Sequence, residues 1–271
     1  MSELRFDNRV ALITGAGAGL GRSHALALAA RGARVVVNDL GGSVDGAGAS
    51  LSAAEAVVRE IEDAGGEAMA HGANVTRPDE VEDMVQAALK RWGRVDVLVN
   101  NAGILRDKSF SKMSLEDFRT VLDVHLWGSV VCAKAVWEPM REAGYGRIVM
   151  TSSSSGIYGN FGQANYGAAK MGVVGLMNVL HLEGRKYDVR VNTLSPTAYT
   201  RMTEGLIPPE AGELMTVESV TAGLVYLASE AAPERTILCA GAGGYAATKI
   251  YETPGLYLPP DQQTPEAVAA H

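Results

Sequence analysis

The sequence predicts an α/β fold, a doubly wound, seven-stranded parallel sheet with helices on both faces, in a single domain spanning residues 1–271. Three observations predict it. Short β-branched runs alternate with longer helical stretches, the pattern of a parallel sheet covered on both sides. The first run leads directly into a glycine loop, Thr14-Gly-Ala-Gly-Ala-Gly-Leu-Gly21. No stretch rich in Pro or Ser divides the chain.

The elements follow in order. Arg9-Val-Ala-Leu-Ile-Thr14 is strand one, and the glycine loop opens a helix that Gly32 stops near Arg31. Ala33-Arg-Val-Val-Val-Asn38 is strand two. A helix from Leu51 to Ala64 ends at Gly65-Gly66, and Ala68 to Asn74 is a weaker third strand. Asp79 to Trp92 is helical, and Val95-Asp-Val-Leu-Val99 is strand four. Ser114 can cap a helix running to about Arg141. Arg147-Ile-Val-Met150 is strand five, Asn165 to Tyr187 a long helix, and Val189-Arg-Val-Asn-Thr-Leu194 strand six. A last helix from Glu218 to Ser229 precedes strand seven, Thr236 to Ala240.

Two segments break this rhythm. Gly41 to Ser50 is glycine-rich and follows strand two. Residues 198–216, with Pro208-Pro209, lie beyond the C-terminal end of strand six, where ligands bind in this architecture, and are expected to form a substrate lid. The tail, about 254–271, is proline-rich and expected to be irregular.

Hydrophobic residues make up 47% of the chain and charged residues 20%, as in an ordinary soluble protein. A net charge of −7 argues against a nucleic-acid surface. The longest apolar stretch, Met171 to Leu182, is interrupted by Gly and Asn and is too short to span a bilayer. The N-terminal residues lack the apolar core of a secretion signal, and the chain ends Ala-Ala-His rather than in a peroxisomal address. The two cysteines, Cys132 and Cys239, read as small buried hydrophobes, and no Cys/His cluster has zinc spacing. The expected compartment is the cytoplasm, and no metal is expected.

Glycines directly after a strand let backbone N–H groups approach a pyrophosphate at a helix N-terminus. In this loop Gly15, Gly19, Leu20 and Gly21 are the expected contacts. Asp39 closes strand two, eighteen residues after Gly21, where a carboxylate can accept from the adenosine ribose hydroxyls. It would repel a 2′-phosphate, and no Lys or Arg follows until Arg59. The expected cofactor is therefore NAD rather than NADP.

The reacting centre is expected in Tyr166-Gly-Ala-Ala-Lys170, with Ser153 thirteen positions upstream of the Tyr in the run Thr151-Ser-Ser-Ser-Ser155. Tyr166 and Lys170 share a helix face at i and i+4. A tyrosine has a pKa of about 10, and a nearby ammonium is expected to lower it toward a usable base. Ser153 can orient the substrate oxygen, while Ser152, Ser154 and Ser155 read as turn or supporting residues.

These motifs, with Asn100-Asn-Ala-Gly103, resemble the short-chain dehydrogenase/reductase family from about Phe6 to Gly243. The resemblance implies a Rossmann-type fold and hydride transfer between a secondary alcohol or ketone and a nicotinamide. It implies Tyr166 as acid/base, Lys170 on the nicotinamide ribose, Ser153 on the carbonyl, and Asn101, Ala102 and Gly103 flanking the cofactor. By the same resemblance Asn74 and Val75 lie along the adenine, although the family more often has Asp at the first of these. Many members carry an Asn that supports a proton relay where this chain has Val124-His125-Leu126; a backbone carbonyl at His125 could hold the relay water. Pro196-Thr197 stands where Pro-Gly is usual.

Within the family, Val36-Val-Asn-Asp-Leu-Gly-Gly42, Asn101-Ala-Gly-Ile-Leu-Arg-Asp107, Arg201-Met-Thr-Glu204 and the segment from Gly156 to Tyr166 are similar to (3R)-hydroxyacyl-CoA dehydrogenase domains of peroxisomal multifunctional enzymes, also described as 17β-hydroxysteroid dehydrogenases. The implied substrate is a (3R)-3-hydroxyacyl-CoA, with Arg106, Lys108 and Lys112 as candidate phosphate contacts. The alternative is a hydroxysteroid or other bulky apolar alcohol, with Tyr158, Phe161, Tyr199, Met202 and Leu206 as candidate lining. A non-catalytic NAD-sensing module is a third reading, against which the intact Ser, Tyr and Lys set speaks. The apolar circumference of the Tyr166 helix, with the resemblance, implies a homo-dimer or homo-tetramer.

Overall fold

The computed structural model describes residues 3–46, 48, 50–200, 203 and 212–270. Strands β1 (Val10–Thr14), β2 (Arg34–Asn38), β3 (Glu67–His71), β4 (Val97–Asn100), β5 (Gly146–Thr151), β6 (Val189–Pro196), β7 (Ile237–Gly241) and β8 (Gly244–Thr248) form one sheet in the order β3-β2-β1-β4-β5-β6-β7-β8. The first seven are parallel and β8 returns antiparallel to β7.

Period-two alternation explains the two core layers. Ala11, Ile13, Val35, Val37, Val97 and Val99 point to one face, and Leu12, Val36 and Leu98 to the other. The first face is covered by α1 (Gly19–Ala30), α2 (Ser52–Asp63) and α8 (Val217–Ala228) through Leu28, Ile61 and Leu224. The second is covered by α3 (Pro78–Trp92), α5 (Gly128–Ala143) and α7 (Ala164–Gly184) through Met84, Val136, Val173 and Met177. Residues buried on both faces of a strand make the runs continuously apolar, which is why they are legible as parallel strands. The helices also carry local signals: Ser114 caps α4 (Leu115–Leu122) by accepting from the Asp117 amide at 3.0 Å, and α3 begins with Pro78 and ends before Gly93 at φ 77°. No helix among the described residues is long and apolar enough to cross a membrane.

Four expectations are corrected. The sheet has eight strands, not seven. Ala242 at φ 49° and Gly243 at φ 76° form a two-residue turn that folds β8 back on β7. β3 ends at His71 rather than Asn74, because the Asn38 amide donates to the carbonyls of His71 and Ala73 at 3.1 and 2.9 Å and draws the chain away from the ladder. The helix expected from Ser114 to Arg141 is α4 and α5 joined by a π-helical turn, Asp123–Trp127. The tail contains a short helix, α9 (Pro265–Ala269), behind an irregular run. Of the segment 198–216 expected to form a lid, residues 201, 202 and 204–211, including Met202, Leu206 and the prolines, lie outside the described residues. Its ends are tied by the Tyr199 amide donating to the Met215 carbonyl at 2.7 Å.

Parallel order places every C-terminal strand end of β1–β7 on one edge, and the order reverses between β1 and β4. That crevice is where such sheets bind ligands. The β7–β8 turn yields a test of the fold: Ala242→Asn removes the cost of a left-handed Ala and should stabilise the protein by about 1 kcal/mol in urea unfolding. A loss of stability would mean that the turn is not of this type.

Candidate active site

The crevice is a cleft of about 500 Å³. Gly15, Gly19, Leu20, Gly21, Asp39, Asn74, Val75, Asn101, Ala102 and Gly103 all line it. Tyr199 and Thr200 after strand β6 and Gly42, Ser43, Val44 and Gly46 from the glycine-rich insertion also line it.

The glycine loop is fixed from β4. The Asn101 side-chain amide donates to the carbonyls of Thr14 and Gly15 at 2.9 and 3.0 Å, and the Thr14 hydroxyl accepts from the amides of Asn101 and Ala102, both at 3.0 Å. A Cβ on Gly21 would lie 2.1 Å from the Gly15 carbonyl oxygen, so loop and helix meet backbone to backbone. Gly19 differs: at φ 53° its nearest neighbour to a Cβ would be Thr200 at 3.9 Å, so it faces the open cleft. Ala18 provides no side-chain cap for α1, so the first N–H groups of that helix are available to an anion. These features fit a dinucleotide pyrophosphate. Thr14 stands in the motif, but its hydroxyl's role was missed; the pairing of β1 with β4 brings it into reach of Asn101.

Asp39 accepts from the Gly17 amide and the Gly41 amide, each at 2.7 Å. Its position is thus set by the backbone, with lone pairs left for further donors. Asn74 sits at the cleft but its Oδ1 accepts from the Thr76 amide and hydroxyl at 3.0 and 2.9 Å. The insertion closes over this end: the Leu105 amide donates to Val44 O at 3.1 Å, and Arg106 Nε to Asp45 O at 3.2 Å.

Ser153, Tyr166 and Lys170 come together at the C-terminal end of β5, outside the residues that line the cleft. Ser153 is the N-cap of α6 (Ser154–Ile157) and accepts from the Ser155 amide at 3.2 Å. Ser152 and Ser155 are supporting residues, as expected: Ser152 Oγ donates to Lys170 O at 2.8 Å and Ser155 Oγ to Gln163 Oε1 at 2.7 Å. Gln163 in turn donates to Asp107 at 2.6 Å, and the Asn165 amide to Arg106 O at 3.1 Å, so the start of α7 is laced to the segment after β4. This lacing was not legible in sequence.

Lys170 is buried and donates from Nζ to the Thr151 carbonyl at 2.6 Å. Burial pulls its pKa down to about 7. The Tyr166 phenol moves the other way from the expectation. Burial raises its pKa; the hydrogen bond to Ser153 opposes this, and Asp107 adds to it. The reason is distance and direction: Nζ is 5.4 Å from the phenol ring centroid and turned to Thr151.

His125 lies in the π-helical turn, buried, with its ring edge-on to Tyr166 at 5.1 Å and 87°. Its backbone carbonyl, the expected water site, accepts from Ser129 Oγ at 2.6 Å. Of the expected phosphate contacts, Arg106 and Lys108 pair with Asp117 at 3.1 and 3.7 Å, while Lys112 is exposed. Tyr158 and Phe161 are exposed at 71% and 90%, so neither is core.

Comparison with known proteins agrees with this geometry. Residues 9–211 match the family model for short chain dehydrogenases. The chain is 50% identical over 270 residues to peroxisomal multifunctional enzyme type 2 of Mus musculus, covering 98% of this chain and 36% of that protein. It therefore spans well under half the length of that curated relative. The full-length peroxisomal multifunctional enzyme type 2 of Drosophila melanogaster superposes with a TM-score of 0.81 at 39% identity, over 98% of this chain and 45% of that one. A 7α-hydroxysteroid dehydrogenase solved with NADH and 7-oxo glycochenodeoxycholic acid gives a TM-score of 0.81 at 29% identity, over 90% of this chain and 98% of that one. The chain belongs to the short-chain dehydrogenase family and is a nicotinamide-dependent oxidoreductase acting on CH–OH groups.

Proposed function

We propose that the chain is an NAD-dependent (3R)-3-hydroxyacyl-CoA dehydrogenase. The observation that carries the reaction type is the convergence of Ser153, Tyr166 and Lys170 after the C-terminal end of β5, on the sheet edge that also carries the cleft lined by Asp39. The substrate class rests on the segments shared with hydroxyacyl-CoA dehydrogenase domains and on the 50% identity with the mouse enzyme.

Bound NAD would supply the hydride acceptor for the carbinol carbon. The chain's residues do the rest. Tyr166, as phenolate, takes the hydroxyl proton while the C–H pair leaves as hydride and the C=O bond forms. Ser153 and the new Tyr166 hydroxyl then hold the ketone oxygen. Lys170 holds the nicotinamide ribose and favours the phenolate when charged. Positioning and proton transfer supply the rate. Preference for NAD over NADP rests on the Asp39 carboxylate and on a cleft lined, among the described residues, by no Lys or Arg. Gly15, Gly19, Leu20 and Gly21 hold the pyrophosphate, Asn74 and Val75 flank the adenine, and Asn101, Ala102 and Gly103 support the nicotinamide half.

The second reading is a 17β-hydroxysteroid or other bulky apolar alcohol. Exposed Tyr158 and Phe161, which lie between Ser153 and Tyr166 in the chain, and the pairing of Arg106 with Asp117 favour it. The segment 198–216 would act as the lid over either substrate. Met171, Val179 and Leu182 remain exposed on α7, which supports a homo-dimer or homo-tetramer. Unpaired Cys132 and Cys239 support a reducing compartment such as the cytoplasm.

The test is NAD-linked oxidation of a (3R)-3-hydroxyacyl-CoA beside its (3S) isomer and a 17β-hydroxysteroid, with Tyr166→Phe in parallel. We expect (3R)-selective turnover that falls about 10²–10⁴-fold in Tyr166→Phe with cofactor binding kept. Steroid preference would select the second reading, and full turnover by the Phe variant would reject the assigned acid/base. Asp39→Ala should narrow the NAD advantage over NADP by about tenfold or more, read from kcat/KM for each cofactor; an unchanged ratio would remove Asp39 from that role.

A further inference from the structure

The insertion after β2 lines the cleft beside Asp39 through Gly42, Ser43, Val44 and Gly46. Its base is closed by the Ser50 amide, which donates to Leu40 O at 2.8 Å, and by the Gly41 amide, which donates to Asp39 at 2.7 Å. A Cβ on Gly41, at φ 74°, would lie 1.9 Å from Ser50 O, so the two arms meet backbone to backbone. Ordering a glycine-rich segment is costly in backbone entropy. Whatever holds Val44 and Asp45 therefore decides how firmly this wall of the cleft stays in place.

The hold comes from the segment that follows β4. The Leu105 amide donates to Val44 O at 3.1 Å, and Arg106 Nε to Asp45 O at 3.2 Å. The Arg106 guanidinium faces a second way as well, with Nη1 donating to Asp117 Oδ1 on α4 at 3.1 Å. Its rigid fork thus joins a backbone carbonyl of the insertion to a helix carboxylate. The segment's own course is fixed by the start of α7. Arg106 O accepts from the Asn165 side-chain amide at 3.1 Å, Asp107 accepts from Gln163 at 2.6 Å, and the Lys108 amide donates to Gly162 O at 3.0 Å. Arg106 does not line the cleft itself, so any effect it has on a bound molecule passes through the insertion.

We propose that Arg106 is a positioning residue for the cofactor, clamping the insertion over the adenosine end of the cleft and raising NAD affinity without touching NAD. This role rests on the reading of the Asp39 end as the adenosine site. It demands Arg rather than Lys. An ammonium is a point charge that can keep Asp117 but presents no second fixed donor to Asp45 O. A contact to a CoA phosphate would be different, because Lys also serves there as a point charge.

The variants are Arg106→Lys, Arg106→Gln and Asp117→Asn. The readouts are the Kd of NADH by fluorescence, the Kd of ADP-ribose by displacement of NADH, and kcat and KM for a (3R)-3-hydroxyacyl-CoA at saturating NAD. We expect both Arg106 variants to bind NADH and ADP-ribose about fivefold or more weakly, and Asp117→Asn to shift both in the same direction by a smaller factor. Turnover and substrate KM should stay within about twofold of the parent, a split that general damage to the fold would not give. Parent-like affinities in folded Arg106 variants would overturn the proposal. So would normal affinities in the Lys variant beside a raised substrate KM in the Gln variant, which would make Arg106 a phosphate contact. Should the Arg106 variants not fold, Asp117→Asn decides by the same two affinities. A parent whose NADH is not displaced by ADP-ribose would remove the cofactor reading itself. A parent that binds both but does not oxidise the thioester would count against the substrate reading alone, since both affinities are measured without substrate.

Discussion

A buried amine beside a half-buried phenol is the constraint on which this site depends. Lys170 is 4% exposed, and its Nζ is held on the Thr151 carbonyl at 2.6 Å. A low-dielectric surrounding favours the neutral form of each group, so the amine is pulled down to about 7 while the phenol is pushed up. The pair is therefore poised against the ionised state that the proposed alcohol oxidation requires. Added positive charge favours the phenolate and opposes the ammonium, whereas a hydrogen-bond acceptor on the amine, such as the Thr151 carbonyl, favours the ammonium.

The sheet supplies the geometry that makes this burial possible. Thr151 ends β5, and α7 crosses back over β5 and β6, so Lys170 enters the interior beside the strand end. Ser152 fastens α7 from below through the Lys170 carbonyl, and the chain Ser155–Gln163–Asp107 fastens its first turn to the segment after β4. One strand further, Thr14 and Asn101 lock the glycine loop to β4. The glycine loop and the proposed acid/base pair are thus tied to adjacent strands, β1, β4 and β5, whose register is set by buried β-branched side chains.

What could be read from sequence was local in spacing. The glycine loop, Asp39 at the end of β2, Ser153 after β5 and the i, i+4 pair of Tyr166 and Lys170 each declare themselves within one element and its flank. What could not be read depends on contacts far apart in the chain. The Asn38 amide that ends β3 acts on carbonyls 33 and 35 residues away. The eighth strand hides behind an Ala242-Gly243 turn that lacks the usual Asn or Asp. Arg106 reads as a phosphate contact until Asp117 is found 3.1 Å from it. Sequence gives the separation of Tyr166 and Lys170 but not their depth, and depth decides the direction in which the phenol moves.

The most direct test of that depth is the pH dependence of kcat in both directions, from about pH 6 to about pH 10. A phenol raised by burial must lose its proton to act in oxidation and keep it to act in reduction. Burial of the pair therefore predicts oxidation that climbs with pH through the alkaline range while ketone reduction declines. Oxidation that is flat or falls as pH rises would contradict it.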